Sequence, residues 1–216
     1  MKKLFWADPY RTSNVTMVES VQGRDVTVRE SVFFAFSGGQ ESDSGTIDGI
    51  SVERAKIMAN TIVYTLAEDH SLQIGDTVTI IIDWDRRYRL MRLHFAAEIV
   101  LWLFMERFPG IERIGAHISE HKARIDFKRE EPITSILSAT ASDANDVIAR
   151  NMAITSAFSN QAEESRYWEI VGFGSIPCGG THIRSTGEVG PIRLSRKNIG
   201  KGKERVEIEL IEEDGE

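Results

Sequence analysis

Residues 177–192 read Pro177-Cys178-Gly179-Gly180-Thr181-His182-Ile183-Arg184-Ser185-Thr186-Gly187-Glu188-Val189-Gly190-Pro191-Ile192. Cys178 is the only cysteine of the chain. No intramolecular disulfide is possible, and the thiol must be inert, nucleophilic or a metal ligand. His182 follows at i+4 across two glycines, which let the backbone fold tightly enough for both side chains to converge on one ion. A spacing of this kind is common by chance. It gains force from a second pair upstream, His94 and Glu98 in His94-Phe95-Ala96-Ala97-Glu98. Residues 90–107 carry helical periodicity and stop at Pro109-Gly110, so His94 and Glu98 lie one turn apart on one face. Zinc binds thiolate, imidazole and carboxylate. Four such ligands complete a tetrahedral shell, and three leave a position open for water or substrate.

Outward from these motifs the chain divides. Its 216 residues suit one large domain or two small ones. Runs 15–18, 25–28, 32–36, 61–66 and 77–82 are rich in β-branched and aromatic residues and are separated by Gly, Asp and Asn turns, which predicts a small β-barrel. Asp85-Arg86-Arg87-Tyr88-Arg89 reads as a charged connector. The helix at 90–107 is apolar nearly all round and is expected to be central. A strand pair at 114–118 and 123–127, a second helix at 143–165 with Ser142 as N-cap, and strands at 169–173, 191–194 and 205–211 follow. The fold class expected is α+β, with an N-terminal barrel at 1–86 and a zinc-binding α+β domain at 87–216.

Composition narrows the function. Hydrophobic residues at 41% and charged residues at 27% are those of an ordinary globular chain, which argues against disorder. The longest apolar stretch, 99–105, is far short of a bilayer span, and Asp8-Pro9-Tyr10-Arg11 interrupts the start before a signal peptide can form, so a cytoplasmic protein without membrane association is expected. A net charge of −7 argues against an indiscriminate nucleic-acid coat. Locally, though, Arg193, Arg196, Lys197, Lys201, Lys203 and Arg205 form a basic stripe, followed by the acids Glu207, Glu209, Glu212, Glu213, Asp214 and Glu216. The stripe reads either as a solvated hairpin or as a phosphate-contacting edge.

Cys178-Gly179-Gly180-Thr181-His182 with Thr186-Gly187-Glu188-Val189-Gly190-Pro191 resembles the second metal motif and following strand of the AlaX-type proteins and of the alanyl-tRNA synthetase editing domain. Phe36-Ser37-Gly38-Gly39-Gln40-Glu41-Ser42-Asp43-Ser44-Gly45 resembles that family's glycine-rich loop, and the resemblance runs from about residue 26 to 210. It implies a fold related to the threonyl/alanyl-tRNA synthetase second additional domain. It also implies a free-standing hydrolase that deacylates tRNA(Ala) mischarged with serine or glycine, with zinc as cofactor and the tRNA acceptor end as partner. By resemblance His94, Glu98, Cys178 and His182 are the metal and catalytic positions, joined by Thr181. Gly38, Gly39 and Gln40 form a substrate-binding loop, with Gln40 and Thr181 as partners for a serine hydroxyl. Arg193, Arg196, Lys197, Lys201 and Lys203 are RNA contacts, with Arg86, Arg87, Arg89 and Arg92 framing the same mouth. The family's first motif is His-xxx-His, whereas this chain has Glu98 in the second place. Glu98 as fourth ligand, Glu98 turned away from a three-ligand site, and a weakened site serving a tRNA-binding module all remain open, as does a zinc hydrolase for a small ester.

Overall fold

The computed structural model describes residues 1–211; the acids Glu212, Glu213, Asp214 and Glu216 lie outside the described residues. The chain is mixed α/β and rich in strands. In order it runs β1 (Lys2–Lys3), α1 (Leu4–Ala7), β2 (Ser13–Gln22), β3 (Asp25–Val28), β4 (Glu30–Ser31), β5 (Gly45–Ile47), β6 (Ile50–Met58), β7 (Thr61–Leu66), β8 (Thr77–Ile82), α2 (Trp84–Arg107), β9 (Glu112–Ile118), β10 (Ala123–Lys128), α3 (Thr134–Ala149), β11 (Thr155–Asn160), β12 (Ser165–Ile170), β13 (Gly174–Pro177), β14 (Ile192–Asn198) and β15 (Lys203–Leu210). A 3-10 turn, Thr186–Val189, lies between β13 and β14. Among the described residues no helix is long and apolar enough to cross a membrane.

Contacts divide the chain into two units, 1–37 with 41–88, and 38–40 with 89–216. In the first, strands follow one another in the closed order β2-β3-β7-β6-β5-β8. Inward-facing Val26, Val28, Ile62, Tyr64, Leu66, Val78 and Ile80 alternate along them and are buried. Each such aliphatic or aromatic side chain contributes roughly 1.5–3 kcal/mol by leaving water. The run at 32–36 is not a strand; residues 32–35 are a buried segment of this core, and Phe36 is exposed. The sequence reading missed β6, whose outward residues leave it mostly exposed.

Three expectations need correction. The charged run after Trp84 is the first turn of α2, where Asp83 Oδ1 accepts the Arg86 amide at 3.1 Å. Arg87 frames no mouth. It is fully buried in the first unit, paired with Asp43 and donating to the Pro9 and Val32 carbonyls. The second helix spans Thr134–Ala149, so Ser142 sits inside it; Asn151 takes a left-handed φ of 48° just past its end, and the residues beyond enter β11.

In the second unit, β14-β15-β10-β9 form an antiparallel sheet and β11-β12-β13 a smaller one. Gly38–Gln40, inside the barrel segment by sequence, group with this unit. Gln40 bridges Ile118, and the Ile118 amide donates to the Gly39 carbonyl at 2.8 Å. Gly39 is required there: its φ is +93°, and a Cβ would lie 2.6 Å from the Ala116 carbonyl oxygen. The helix α2 is buried on almost every side from Leu90 to Leu101, as its sequence predicts. Phe95 and Trp102 on this helix meet Trp168 of β12 with ring centroids 5.3 and 6.5 Å apart, which seats the small sheet on the turn that carries Glu98.

Candidate metal centre

Two elements bring the site together. His94 and Glu98 project from one face of α2. Cys178 and His182 follow β13, where Ile176 faces inward, and Cys178 keeps the same parity two residues on. Cys178 Sγ lies 3.3 Å from His94 Nε2 and 3.2 Å from His182 Nε2. A zinc ion bound at about 2.0 Å to nitrogen and 2.3 Å to sulfur would hold such atoms about 3.5 Å apart. The donor set therefore fits zinc in chemistry and in spacing.

Each imidazole is oriented from behind. His94 Nδ1 is 2.5 Å from Gln40 Oε1, and His182 Nδ1 is 2.8 Å from Ser156 Oγ. With Nδ1 against these oxygens, both rings turn Nε2 toward Cys178, the orientation a metal ligand needs. Gln40 is itself fixed, because its Nε2 donates to Thr181 Oγ1 at 2.8 Å and its Oε1 accepts the Thr181 amide at 3.2 Å. Gln40 and Thr181, read from the sequence as partners for a substrate hydroxyl, are buried and engaged with each other and with His94.

Glu98 stands beside the cluster. Its Oε1 is 3.3 Å from His94 Nε2 and 3.6 Å from Cys178 Sγ, while Oε2 accepts the Trp168 indole N–H at 2.7 Å. Only His94, Cys178 and His182 offer atoms that all lie within 4.8 Å of one another, so among the described residues these three are the group that could hold a metal ion. Glu98 flanks one edge of it. Electrostatics agree that the position favours a cation. Burial alone would drive the proton off His94, but its interactions with Cys178 and Glu98 outweigh that and hold the imidazole up at about 10. His182, buried and next to a charged His94, falls to about 3. Burial would raise Glu98, yet hydrogen bonds from His94 and Trp168 keep it below the usual carboxylate range.

Neither glycine of Cys178-Gly179-Gly180 takes a left-handed φ, and only Gly180 is required for its size. A Cβ on Gly180 would overlap the His94 ring, whereas one on Gly179 would meet nothing within 4 Å. The segment Thr186–Val189 is a clamp. Thr186 Oγ1 donates to the Val147 carbonyl near the end of α3 at 2.9 Å and accepts the Met152 amide at 2.9 Å, and Glu188 Oε1 accepts the amides of Arg184 and Ser185. Of the basic stripe, Arg193 pairs with Glu209 and Arg196 makes a two-pronged pair with Glu204; Arg205 holds Asp126. Lys197 and Lys201 are exposed near the tip between β14 and β15, and Lys203 begins β15, also exposed. Sequence reasoning missed Ser156, Arg166 and Trp168. Trp168 carried a signal, as an indole N–H that must find a partner when buried; Ser156 carried none.

Residues 169–207 match the model of the threonyl and alanyl tRNA synthetase second additional domain. This match takes in Cys178 and His182 and puts that part of the chain in the class of the synthetases' second additional domain. The chain is 31% identical to the alanyl-tRNA editing protein AlaX-M of Saccharolobus solfataricus, over 95% of this chain and 97% of that one. It is 29% identical to the AlaX-M protein of Pyrococcus horikoshii over 97% of each. The chain belongs to this AlaX-M family of alanyl-tRNA editing proteins. It is also 31% identical to the alanine–tRNA ligase of Ignicoccus hospitalis, over 96% of this chain but 26% of the ligase.

Proposed function

We propose that the protein is a zinc-dependent trans-editing hydrolase that cleaves the ester of tRNA(Ala) wrongly charged with serine or glycine. One observation carries the reading: the two Nε2 atoms and the Cys178 sulfur converge at zinc spacing, with each imidazole oriented from its Nδ1 side by Gln40 or Ser156. The match of nearly the whole chain to proteins named for alanyl-tRNA editing supports the substrate class.

His94, Cys178 and His182 hold the ion. Zinc bound there supplies Lewis-acid character to the substrate atom that meets it. Glu98 is not among the three side chains whose ligand atoms lie mutually close. It contributes negative charge on the edge of the cluster instead, oriented by Trp168. Thr181 accepts from Gln40 and keeps its own hydroxyl proton to donate, which suits it to a serine side chain. A buried group of this kind discriminates far better than pocket size, since an alanine-sized space admits glycine. Lys197, Lys201 and Lys203 contact phosphates of the acceptor end, while Arg193 and Arg196 are held mainly by their carboxylates.

The test is serine release from seryl-tRNA(Ala) by the purified chain, with alanyl-tRNA(Ala) as control, before and after treatment with a chelator. Rapid release that the chelator abolishes and zinc restores is expected. No release from the zinc-loaded protein overturns the reading.

A further inference from the structure

Alternate residues of a strand share a face, and the register of the small sheet pairs Ser156 with Trp168 and Phe158 with Arg166. Trp168 bonds Glu98 and Ser156 bonds His182, so this face is the one that carries the cluster. Across β12, Trp168 pairs with Ile176, and one step further the Cys178 amide donates to the Arg166 carbonyl at 2.9 Å. Phe158 of β11, Arg166 of β12 and Cys178, the residue that follows β13, therefore form one row across the sheet. With neighbouring strands about 4.8 Å apart, Phe158 stands about 10 Å from Cys178, within the reach of a single nucleoside.

The same row leads to solvent. His94, Glu98, Gln40, Thr181 and His182 are buried, Cys178 is half-buried, and Ser156 and Phe158 are exposed on β11, an edge strand of its sheet. A substrate that meets the cluster from this side passes over Phe158. That ring keeps 38% of its surface exposed. The Arg166 guanidinium lies 4.7 Å from its centroid, and Arg166 is itself buried. An exposed aromatic with a cation beside it is the element with which proteins stack unpaired bases. The acceptor end of a tRNA terminates in an unpaired adenosine whose ribose bears the ester.

We propose that Phe158, backed by Arg166, is the stacking platform for the terminal nucleobase of an aminoacylated RNA and sets the attached ribose ester over the metal centre. The proposal rests on the deacylase reading for its ligand, and binding tests it apart from catalysis. The probes are 3′-seryl-amino-3′-deoxyadenosine, which cannot be hydrolysed, and its counterpart lacking the base. Their affinities for the zinc-loaded protein are compared with those of Phe158→Ala and Phe158→Tyr, the zinc content of each variant being measured alongside. Phe158→Ala is expected to weaken the adenosine probe about ten- to hundredfold. It should leave the base-less probe and the zinc content unchanged, while Phe158→Tyr binds as the parent does. Equal affinity of Phe158→Ala and parent for the adenosine probe overturns the platform, even if seryl-tRNA(Ala) is hydrolysed. A Phe158-dependent preference for the base in a protein that releases no serine sustains the platform and removes the deacylase reading alone.

Discussion

Gln40 Oε1 receives His94 Nδ1 at 2.5 Å across 54 residues of sequence, and so a residue of the glycine-rich segment decides which nitrogen of His94 faces the thiol. The amide can do this because Thr181 takes its other end. Gln40→Leu keeps the volume and removes the acceptor, which frees the ring to rotate or change tautomer. Partners of this kind typically govern 10–100-fold in metal affinity. Zinc affinity measured against a competing chelator is expected to fall by about that factor while the circular dichroism spectrum is retained. Unchanged affinity would show that His94 needs no such support.

The neighbouring glycines give a paired test. Gly180→Ala puts a methyl group where the His94 ring lies, and Gly179→Ala puts one into open space. The first variant is expected to bind little zinc as purified, and the second close to one ion per chain, by elemental analysis. Equal zinc content in the two would mean that His94 can move aside without loss.

Much of this centre was legible because ligand spacing is local. Cys178 with His182, and His94 with Glu98, are each set four residues apart, and the period of α2 fixes the side on which the second pair emerges. The supports were not legible in the same way. Ser156 reaches His182 only because residues 155–160 are a strand, and alanine-rich sequence around Ala149 reads as helix until Asn151 turns the chain with a left-handed φ. Gln40 was visible as a residue of interest, but its task depends on a bridge to Ile118 that no spacing encodes. The basic stripe was legible only as a run of charges. Charges counted along a chain ignore partners across a ladder, and there Glu204 and Glu209 face Arg196 and Arg193.

Metal removal should be read in stability as well as activity. A ligand that binds only the folded state stabilises by about 4 kcal/mol at a thousandfold excess over its Kd. For a chain of this size that is roughly 8–16 °C in melting temperature. Excess zinc is expected to raise the melting temperature of the parent by about that much, and a chelator to reverse it. Cys178→Ala should show neither response. A zinc-induced shift of parental size in Cys178→Ala would refute the thiol as ligand.

Acid should loosen the larger sheet of the second unit. The Arg196 guanidinium bonds both oxygens of Glu204 and, against the opposing effect of burial, holds its carboxyl below the ordinary value of 4.5. A carboxyl depressed in the folded state contributes stability above its unfolded pKa and loses it as pH falls through the folded value. The contribution is thus complete at neutral pH and declines below about pH 4.5. Urea midpoints of the parent and Glu204→Gln are expected to differ at pH 7 and to converge toward pH 3. A constant gap across that range would assign the effect to packing.

The buried pair Arg87 and Asp43 makes the sharpest demand on the first unit. Both side chains are fully buried. Arg87 Nε donates to Asp43 Oδ1 at 2.7 Å, and Asp43 Oδ2 also accepts the Phe34 amide at 2.7 Å. Two opposed charges in such a place roughly offset their own desolvation, so the pair contributes little net stability over an apolar replacement. Removing one member leaves the other without compensation, which costs about 3–5 kcal/mol. Asp43→Ala is therefore expected to lower the urea-derived unfolding free energy by that amount, and the double variant Asp43→Leu, Arg87→Met by clearly less. A double variant as unstable as the single one would mean that the hydrogen bonds to the Pro9 and Val32 carbonyls and the Phe34 amide, rather than the charge balance, hold this part of the barrel together.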